Sequence, residues 1–346
     1  MNEIAADHNE KEEARKILVD SVADFCKQEL ELKRIRSFNE ESLSYSEEIW
    51  KQMCNLGWTS VISGERDGGL DLGFAAATSL CRELGRVIAP EPMLECGIAT
   101  SALVSKLPNK QAWFNDTIKG DKIVISHFDQ LAAQNPWASQ KSVTASKRGN
   151  HFVLTGQLDN FPLANIADMF VVVADLNNKS SLFLIEKSER NLSIKLDKLS
   201  DGTFCGRLTL ADVKIEADGL LAKGVEAERA ICHSYRAGSL CTSAYLVGLS
   251  ESLLEITLEY LKTRKQFGKP IGAFQALQHR AVYLYIQKGL ASAVLEEAAR
   301  KADSQAEDDT IQLLVDRAKY RSNEAAIAIS RQSVQMHGGI GYTDEC

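Results

Sequence analysis

Several things that would mark common protein classes are scarce or missing in this 346-residue chain. It has only six prolines, and none lies beyond Pro270, so long uninterrupted helices are open to the C-terminal segment. No two of its eight cysteines form a C-x-x-C pair, which argues against zinc ribbons and dithiol redox chemistry; scattered thiols suit a reducing cytoplasm. Basic charge is not in excess: 40 Lys and Arg face 47 Asp and Glu, a net charge of -7, with no global footprint for nucleic acid or an anionic membrane. No apolar run approaches a bilayer span, and the polar, acidic start is unlike a secretory signal. No G-x-G-x-x-G follows any predicted strand, so the usual dinucleotide fingerprint is missing. With 45% apolar residues the chain buries one large core or a few smaller ones, and disorder is excluded.

What is present falls into three parts, with no internal repeat. From Ala14 to Lys106 apolar residues recur at helical spacing, as in Ile17, Val22 and Phe25 and again in Leu80, Leu84 and Val87. The glycine-rich GERDGGLDLG reads as a surface loop, with a helix starting near Leu72. Short β-branched runs follow at Ile123–Ser126, Phe152–Thr155, Met169–Ala174, Leu182–Ile185 and Arg207–Leu210, separated by turn residues, and predict an antiparallel sheet rather than βαβ units. Helical spacing then returns: Leu246, Leu249, Leu253, Ile256 and Tyr260 form one apolar face, a second helix follows Gln275, and a third runs from about Asp309 to Met336. The reading is an α+β protein with a helical domain over 1–118, a middle antiparallel β domain over 119–222 and a C-terminal four-helix bundle over 223–346.

Two stretches carry more than fold. YLKTRKQFGKPIGAFQALQH, from Tyr260, and VQMHGGIGYTDE, from Val334, resemble the acyl-CoA dehydrogenase family, as do WKQMCNLGWTSVISGERDGGLDLG and ELGRVIAPEP nearer the N-terminus. The resemblance implies that family's three-part fold, FAD as cofactor, an acyl-CoA thioester as substrate and electron-transfer flavoprotein as the kind of electron acceptor. It implies that Arg264, Gln266 and Phe267 reach the pyrophosphate and adenine of a neighbouring subunit's FAD, with Gln275 nearby, and that Gln335, Gly338 and Gly339 hold the adenosine-diphosphate part. A guanidinium is a bidentate donor to phosphate, and glycine lets backbone amides approach it. Taken alone, Arg264 also reads as a solvated cation at a helix end, and Gly268 and Pro270 as an ordinary helix stop. His279 reads as a structural residue, and no metal site is expected.

The chain also departs from the family. The reaction needs a carboxylate to take the α-proton, and in many members that Glu lies some thirty residues beyond the equivalent of Gly341, past Cys346 here, so that either a C-terminal tail follows or that base is absent. Others place it in an E-x-x-G pattern or two turns earlier; this chain reads AYLVG, with Tyr245 at the first position and Gly238 near the second. Glu251 and Glu345 are available acids, each read as a solvated carboxylate, and the catalytic residue stays unassigned. The flavin-cradling T-E-P-x-x-G-S-D segment reads ISHFDQLAAQ, with Ser126 the hydroxyl left, and G-x-K-x-W-I-T reads GQLDNFP, with Asn160 and Pro162 in place of Trp and Thr. Residues reaching to a neighbour are kept while those serving the chain's own flavin are altered. The expectation is one half of a heteromeric (α2β2) dehydrogenase of the kind that acts on steroid side-chain thioesters, with a homotetramer as the alternative assembly. A flavin oxidase or monooxygenase on the same fold, or a non-catalytic CoA-thioester-binding subunit, are the competing functions.

Overall fold

The computed structural model describes residues 2–41, 44–109, 111–126, 142–304 and 308–343. Chain contacts group them into two compact units, one of residues 1–32, 72–89 and 239–346, the other of residues 33–71 and 90–238.

The second unit holds the sheet. Short helices α2 (Lys33–Glu41) and α3 (Glu47–Asn55) precede it, and α3 starts at Ser46, whose side chain accepts a hydrogen bond from the Ile49 amide. A π-helix, Met93–Thr100, leads into α5 (Ser101–Val104) and α6 (Phe114–Ile118). Eight strands follow: β1 (Val124–Ser126), β2 (Val143–Arg148), β3 (His151–Pro162), β4 (Met169–Asp175), β5 (Ser180–Glu186), β6 (Leu192–Lys198), β7 (Phe204–Glu216) and β8 (Leu220–Lys223). Their order is β6-β7-β3-β2-β4-β5-β8, with β1 added beside β4. Most neighbours are antiparallel, as the turn-rich sequence predicts, but β1 lies parallel to β4 and β2 meets β4 in parallel at Thr144 and Asp175, so the sheet is mixed. The chain returns from β1 to β4 by way of the β2–β3 hairpin, a connection long enough for parallel pairing. That position also explains the nearly unbroken apolar MFVVVA of β4, which is buried at every residue but Val173.

Arg34 and Glu91 form a bidentate pair within this unit at 2.6 and 3.0 Å, with the Glu91 side chain wholly buried between Pro90 and Pro92. Gly156 is needed where β3 turns against β2, since a Cβ there would lie 2.1 Å from the Ser142 carbonyl oxygen.

The first unit is helical. It contains α1 (Asn2–Glu29), α4 (Gly73–Arg86), the greater part of the 39-residue α7 (Val225–Thr263), α8 (Gln275–Ala302) and α9 (Asp308–His337). Three long helices thus come from the C-terminal segment, and α4 joins them by packing on α8. Periodicity in the C-terminal sequence alone does not reveal this contribution from residues 73–86.

Helix α4 also crosses α7, at two glycines. A Cβ on Gly85 would lie 2.1 Å from the Tyr245 carbonyl oxygen, and one on Gly248 would lie 1.8 Å from the Arg82 carbonyl oxygen. The backbones touch, and charges seal the rim of the crossing: Arg82 donates to Glu251 at 2.9 Å and Arg86 donates to Glu255 at 2.6 Å. At its start α4 has Leu72 as N-cap with no side-chain bond. Asp303, from the turn after α8, accepts from the Phe74 and Ala75 amides at 2.6 and 2.9 Å and places its charge at the positive end of the helix dipole.

Two stability predictions follow from these contacts. Gly248→Ala forces the helices apart, and chemical denaturation should show a loss of about 1–3 kcal/mol, the range for overpacking a tight contact. Asp303→Ala removes a two-amide cap and should cost roughly 0.5–2 kcal/mol in the same assay.

Candidate functional site

The residues singled out at the C-terminal end all lie in the helical unit, and all are exposed. Helix α7 ends at Thr263. The Arg264 amide still donates back to the Tyr260 carbonyl at 2.9 Å, and the Arg264 carbonyl accepts from the Ile271 amide at 2.8 Å, which closes the loop between them. Inside that loop lies a two-stranded hairpin, with Lys265 opposite Pro270 and Gln266 opposite Lys269.

Its two tip residues have φ of +52° at Phe267 and +79° at Gly268, the pair of positive values that a type I′ turn requires. Glycine adopts this at no cost, whereas phenylalanine pays roughly 1 kcal/mol. The ring gains little burial in return: Phe267 is 90% exposed and meets Phe274 only edge-on, at 6.1 Å between centroids. An exposed aromatic on a strained tip weakens the isolated fold, and such strain gathers at functional positions.

Gln275 opens α8. No side chain caps this helix, so its first amides and the positive end of its dipole are presented beside the hairpin. Gln335 stands on the last turn of α9, and Gly338 (φ +67°) and Gly339 begin the turn beyond it. A Cβ on either glycine would meet nothing within 4 Å. Packing within the chain therefore gives no reason for Gly339 to be glycine; the open backbone suits close approach by something outside the chain. The ends of α7 and α9 are joined by a ring stack of Tyr260 on the buried His337, with centroids 4.5 Å apart and planes 25° apart. Exposed guanidinium, uncapped helix N-terminus, aromatic tip and bare glycine turn together fit a ligand with a phosphate group and a flat ring.

The acids behave otherwise. The Tyr245 hydroxyl donates to the Ala89 carbonyl at 3.2 Å, a structural bond beside the helix crossing. Glu251, expected to be solvated, is 8% exposed and surrounded by cations: Arg82 donates to it, with Arg86 at 3.5 Å and Lys288 at 3.8 Å. A carboxylate so engaged is not free to turn towards a substrate proton. Glu345 lies outside the described residues, as do 127–134 of the altered cradle segment. Ser126 is buried in the sheet unit and accepts from the Thr100 hydroxyl at 3.3 Å. Asn160 is exposed at φ +55° in an irregularity of β3, which lets Phe161 turn fully inward against Phe170 with centroids 5.1 Å apart. Pro162 pairs with Cys205. His279 is exposed, and among the described residues no group of three His, Cys, Asp or Glu is placed to hold a metal ion. None of the seven described cysteines is in a disulfide, and burial pushes Cys54 up to about 12, far from thiolate reactivity.

Sequence reasoning passed over Glu95, on the π-helix. Burial holds its carboxyl above the usual carboxylate range, and no cation opposes the shift. Its folded form thus binds a proton more tightly than the unfolded chain, so this stabilisation is full below about pH 4.5 and is lost as pH rises through the folded value. Glu95→Gln should raise the melting temperature at pH 7, and the gain should shrink towards pH 4; a gain independent of pH would contradict the assignment.

Comparison with known proteins gives the family of the chain. Residues 12–120 match the acyl-CoA dehydrogenase N-terminal domain and residues 231–346 the acyl-CoA dehydrogenase C-terminal domain. The acyl-CoA dehydrogenase FadE27 of Mycobacterium tuberculosis is 26% identical over 333 residues, covering 94% of this chain and 86% of that protein. The acyl-CoA dehydrogenase IpdE2 of Mycolicibacterium smegmatis is 27% identical over 337 residues, covering 96% and 89%. Among solved structures, the ChsE4–ChsE5 complex from Mycobacterium tuberculosis superposes with a TM-score of 0.84 at 23% identity, covering 96% of this chain and 88% of that one. Among the described residues no helix is long and apolar enough to cross a membrane.

Proposed function

Since the chain belongs to the acyl-CoA dehydrogenase family, FAD-dependent oxidoreductases acting on the CH–CH bond of acyl-CoA thioesters, we propose that it is one subunit of a heteromeric (α2β2) member, holding part of an FAD whose flavin ring and catalytic Glu belong to a homologous partner chain. The observation that carries this reading is the split between the two sets of residues. Those pointing outward are intact and open, from Arg264 and the strained Phe267 tip to the unfilled Gly338–Gly339 turn. At the E-x-x-G position, by contrast, Tyr245 is tied to the Ala89 carbonyl, and Glu251 is locked among arginines.

In this reading Arg264 and the first amides of α8 neutralise the pyrophosphate, Gln266 and Gln275 orient it, and Phe267 packs on adenine. Gln335, Gly338 and Gly339 meet the adenosine-diphosphate part. The chemistry that FAD supplies when bound is acceptance of a hydride from the β-carbon, and electron-transfer flavoprotein is the class of protein that takes the electrons onward. A neutral tyrosine at position 245 is too weak a base to take the α-proton, so that proton goes to the partner's carboxylate. The product is a 2-enoyl-CoA thioester. Names among the similar proteins support both the heteromer and a steroid-derived acyl group, since solved neighbours include the ChsE4–ChsE5 complex and a two-protein steroid acyl-CoA dehydrogenase. Cysteines outside any disulfide among the described residues support a cytoplasmic setting.

The chain should purify colourless alone and gain FAD when co-expressed with its partner, as read by visible absorption and native mass. Arg264→Ala in the complex should weaken FAD binding about 10- to 100-fold, the loss expected for a charge-assisted phosphate contact. A stoichiometric yellow homomer that dehydrogenates acyl-CoA would overturn the proposal.

A further inference from the structure

Arg264–Phe267 and Gln335–Gly339 lie at opposite ends of the C-terminal sequence, yet one ligand must meet both. We infer that the stack of Tyr260 on His337 is the device that sets the spacing of these two segments, and that both residues are positioning residues for the FAD contact proposed above, on which this inference rests.

The geometry is continuous from one segment to the other. Tyr260 lies one helical turn before Arg264, and its carbonyl accepts the Arg264 amide at 2.9 Å, so movement of Tyr260 is movement of the hairpin's base. Its ring lies nearly flat on His337, 4.5 Å between centroids. His337 is the last residue of α9; its Nδ1 lies 2.8 Å from the Ser333 carbonyl oxygen, a bond that fixes the plane of the ring. Beyond His337 the glycine turn folds back on it, for a Cβ on Gly341 would lie 3.2 Å from the His337 Cβ and 2.8 Å from the Val334 carbonyl oxygen. Hairpin base, tyrosine, histidine and glycine turn thus form one column. Both rings belong to long helices, while most of the groups they align, the hairpin residues and the glycine turn, lie exposed beyond the helix ends. A guanidinium and a glycine turn that must meet one dinucleotide lose affinity steeply when displaced by an ångström.

The test uses the co-expressed complex and measures FAD dissociation by flavin fluorescence, with the melting temperature and native mass of each variant recorded alongside. His337→Ala and Tyr260→Leu should each weaken FAD binding about tenfold, the upper end of the loss expected for an aromatic pair. His337→Phe and Tyr260→Phe, which keep the stack, should return affinity to within about twofold of the parent. If Arg264→Ala weakens FAD but His337→Ala and Tyr260→Leu do not, the positioning role is wrong and the shared site stands. If Arg264→Ala has no effect on FAD, the shared site fails and this inference with it. If the phenylalanine variants melt like the parent yet leave affinity unrestored, the loss does not come from the stack and the inference is overturned.

Discussion

The structure of the helical unit depends on a backbone crossing. Where α4 meets α7, Gly85 and Gly248 leave no room for even a methyl group, and each helix rests on a carbonyl of the other. Contact this close fixes the distance between the helix axes, and the pairs Arg82–Glu251 and Arg86–Glu255 fix rotation about it. Glu251 is buried, so removing Arg82 takes its closest hydrogen-bond partner from a poorly solvated charge, whereas Glu255 is exposed. Asp303 ties the start of α4 to the turn after α8, so the N-terminal helix becomes part of the C-terminal bundle. The far end of α7, which carries the Arg264 hairpin, inherits its position from this crossing.

The same crossing accounts for the roles of Tyr245 and Glu251. Tyr245 and Glu251 lie on α7 within one turn of Gly248, and both are engaged in holding the helices together. A catalytic base needs a carboxylate that is ionised, desolvated and free to turn towards a proton. Glu251 is buried but paired, and Tyr245 offers only a phenol already donating to Ala89. Residues of this stretch serve packing, whereas the exposed Phe267 beyond α7 and the bare Gly338–Gly339 turn beyond α9 do little packing within the chain.

Much of this was legible in the sequence, for identifiable reasons. Long helices were visible from the apolar spacing through Tyr260 and the proline-free C-terminal segment, and α4 begins next to the Leu72 start that the glycine-rich loop announced. Five strands stood out because each carries a β-branched or apolar run. The β2, β6 and β8 strands did not: β6 alternates weakly and is mostly exposed, and β8 is only four residues long. Parallel pairing of β1 was hidden as well, since direction depends on a connection of more than forty residues and not on local pattern. At the site, residue types were readable but geometry was not. The sequence presents Phe267 as an aromatic beside a glycine, and only the backbone reveals its positive φ. Nor does any periodicity bring Tyr260 onto His337, which lie 77 positions apart along the chain.

Exposure and openness at the hairpin and the glycine turn point in the same direction when weighed energetically. Strain of roughly 1 kcal/mol at Phe267 and an unburied ring both lower the stability of the chain on its own. Glycine at position 339, where a side chain would meet nothing, raises the entropy lost on folding without relieving any clash. Sequences near the stability threshold do not keep such features for the fold, because replacing them is an easy gain. Their cost is recovered only when something docks against them. In the helical unit the strained tip, the uncapped start of α8 and the bare turn after α9 are thus the features for which the proposed shared site accounts, with the stack of Tyr260 on His337 linking the ends of α7 and α9.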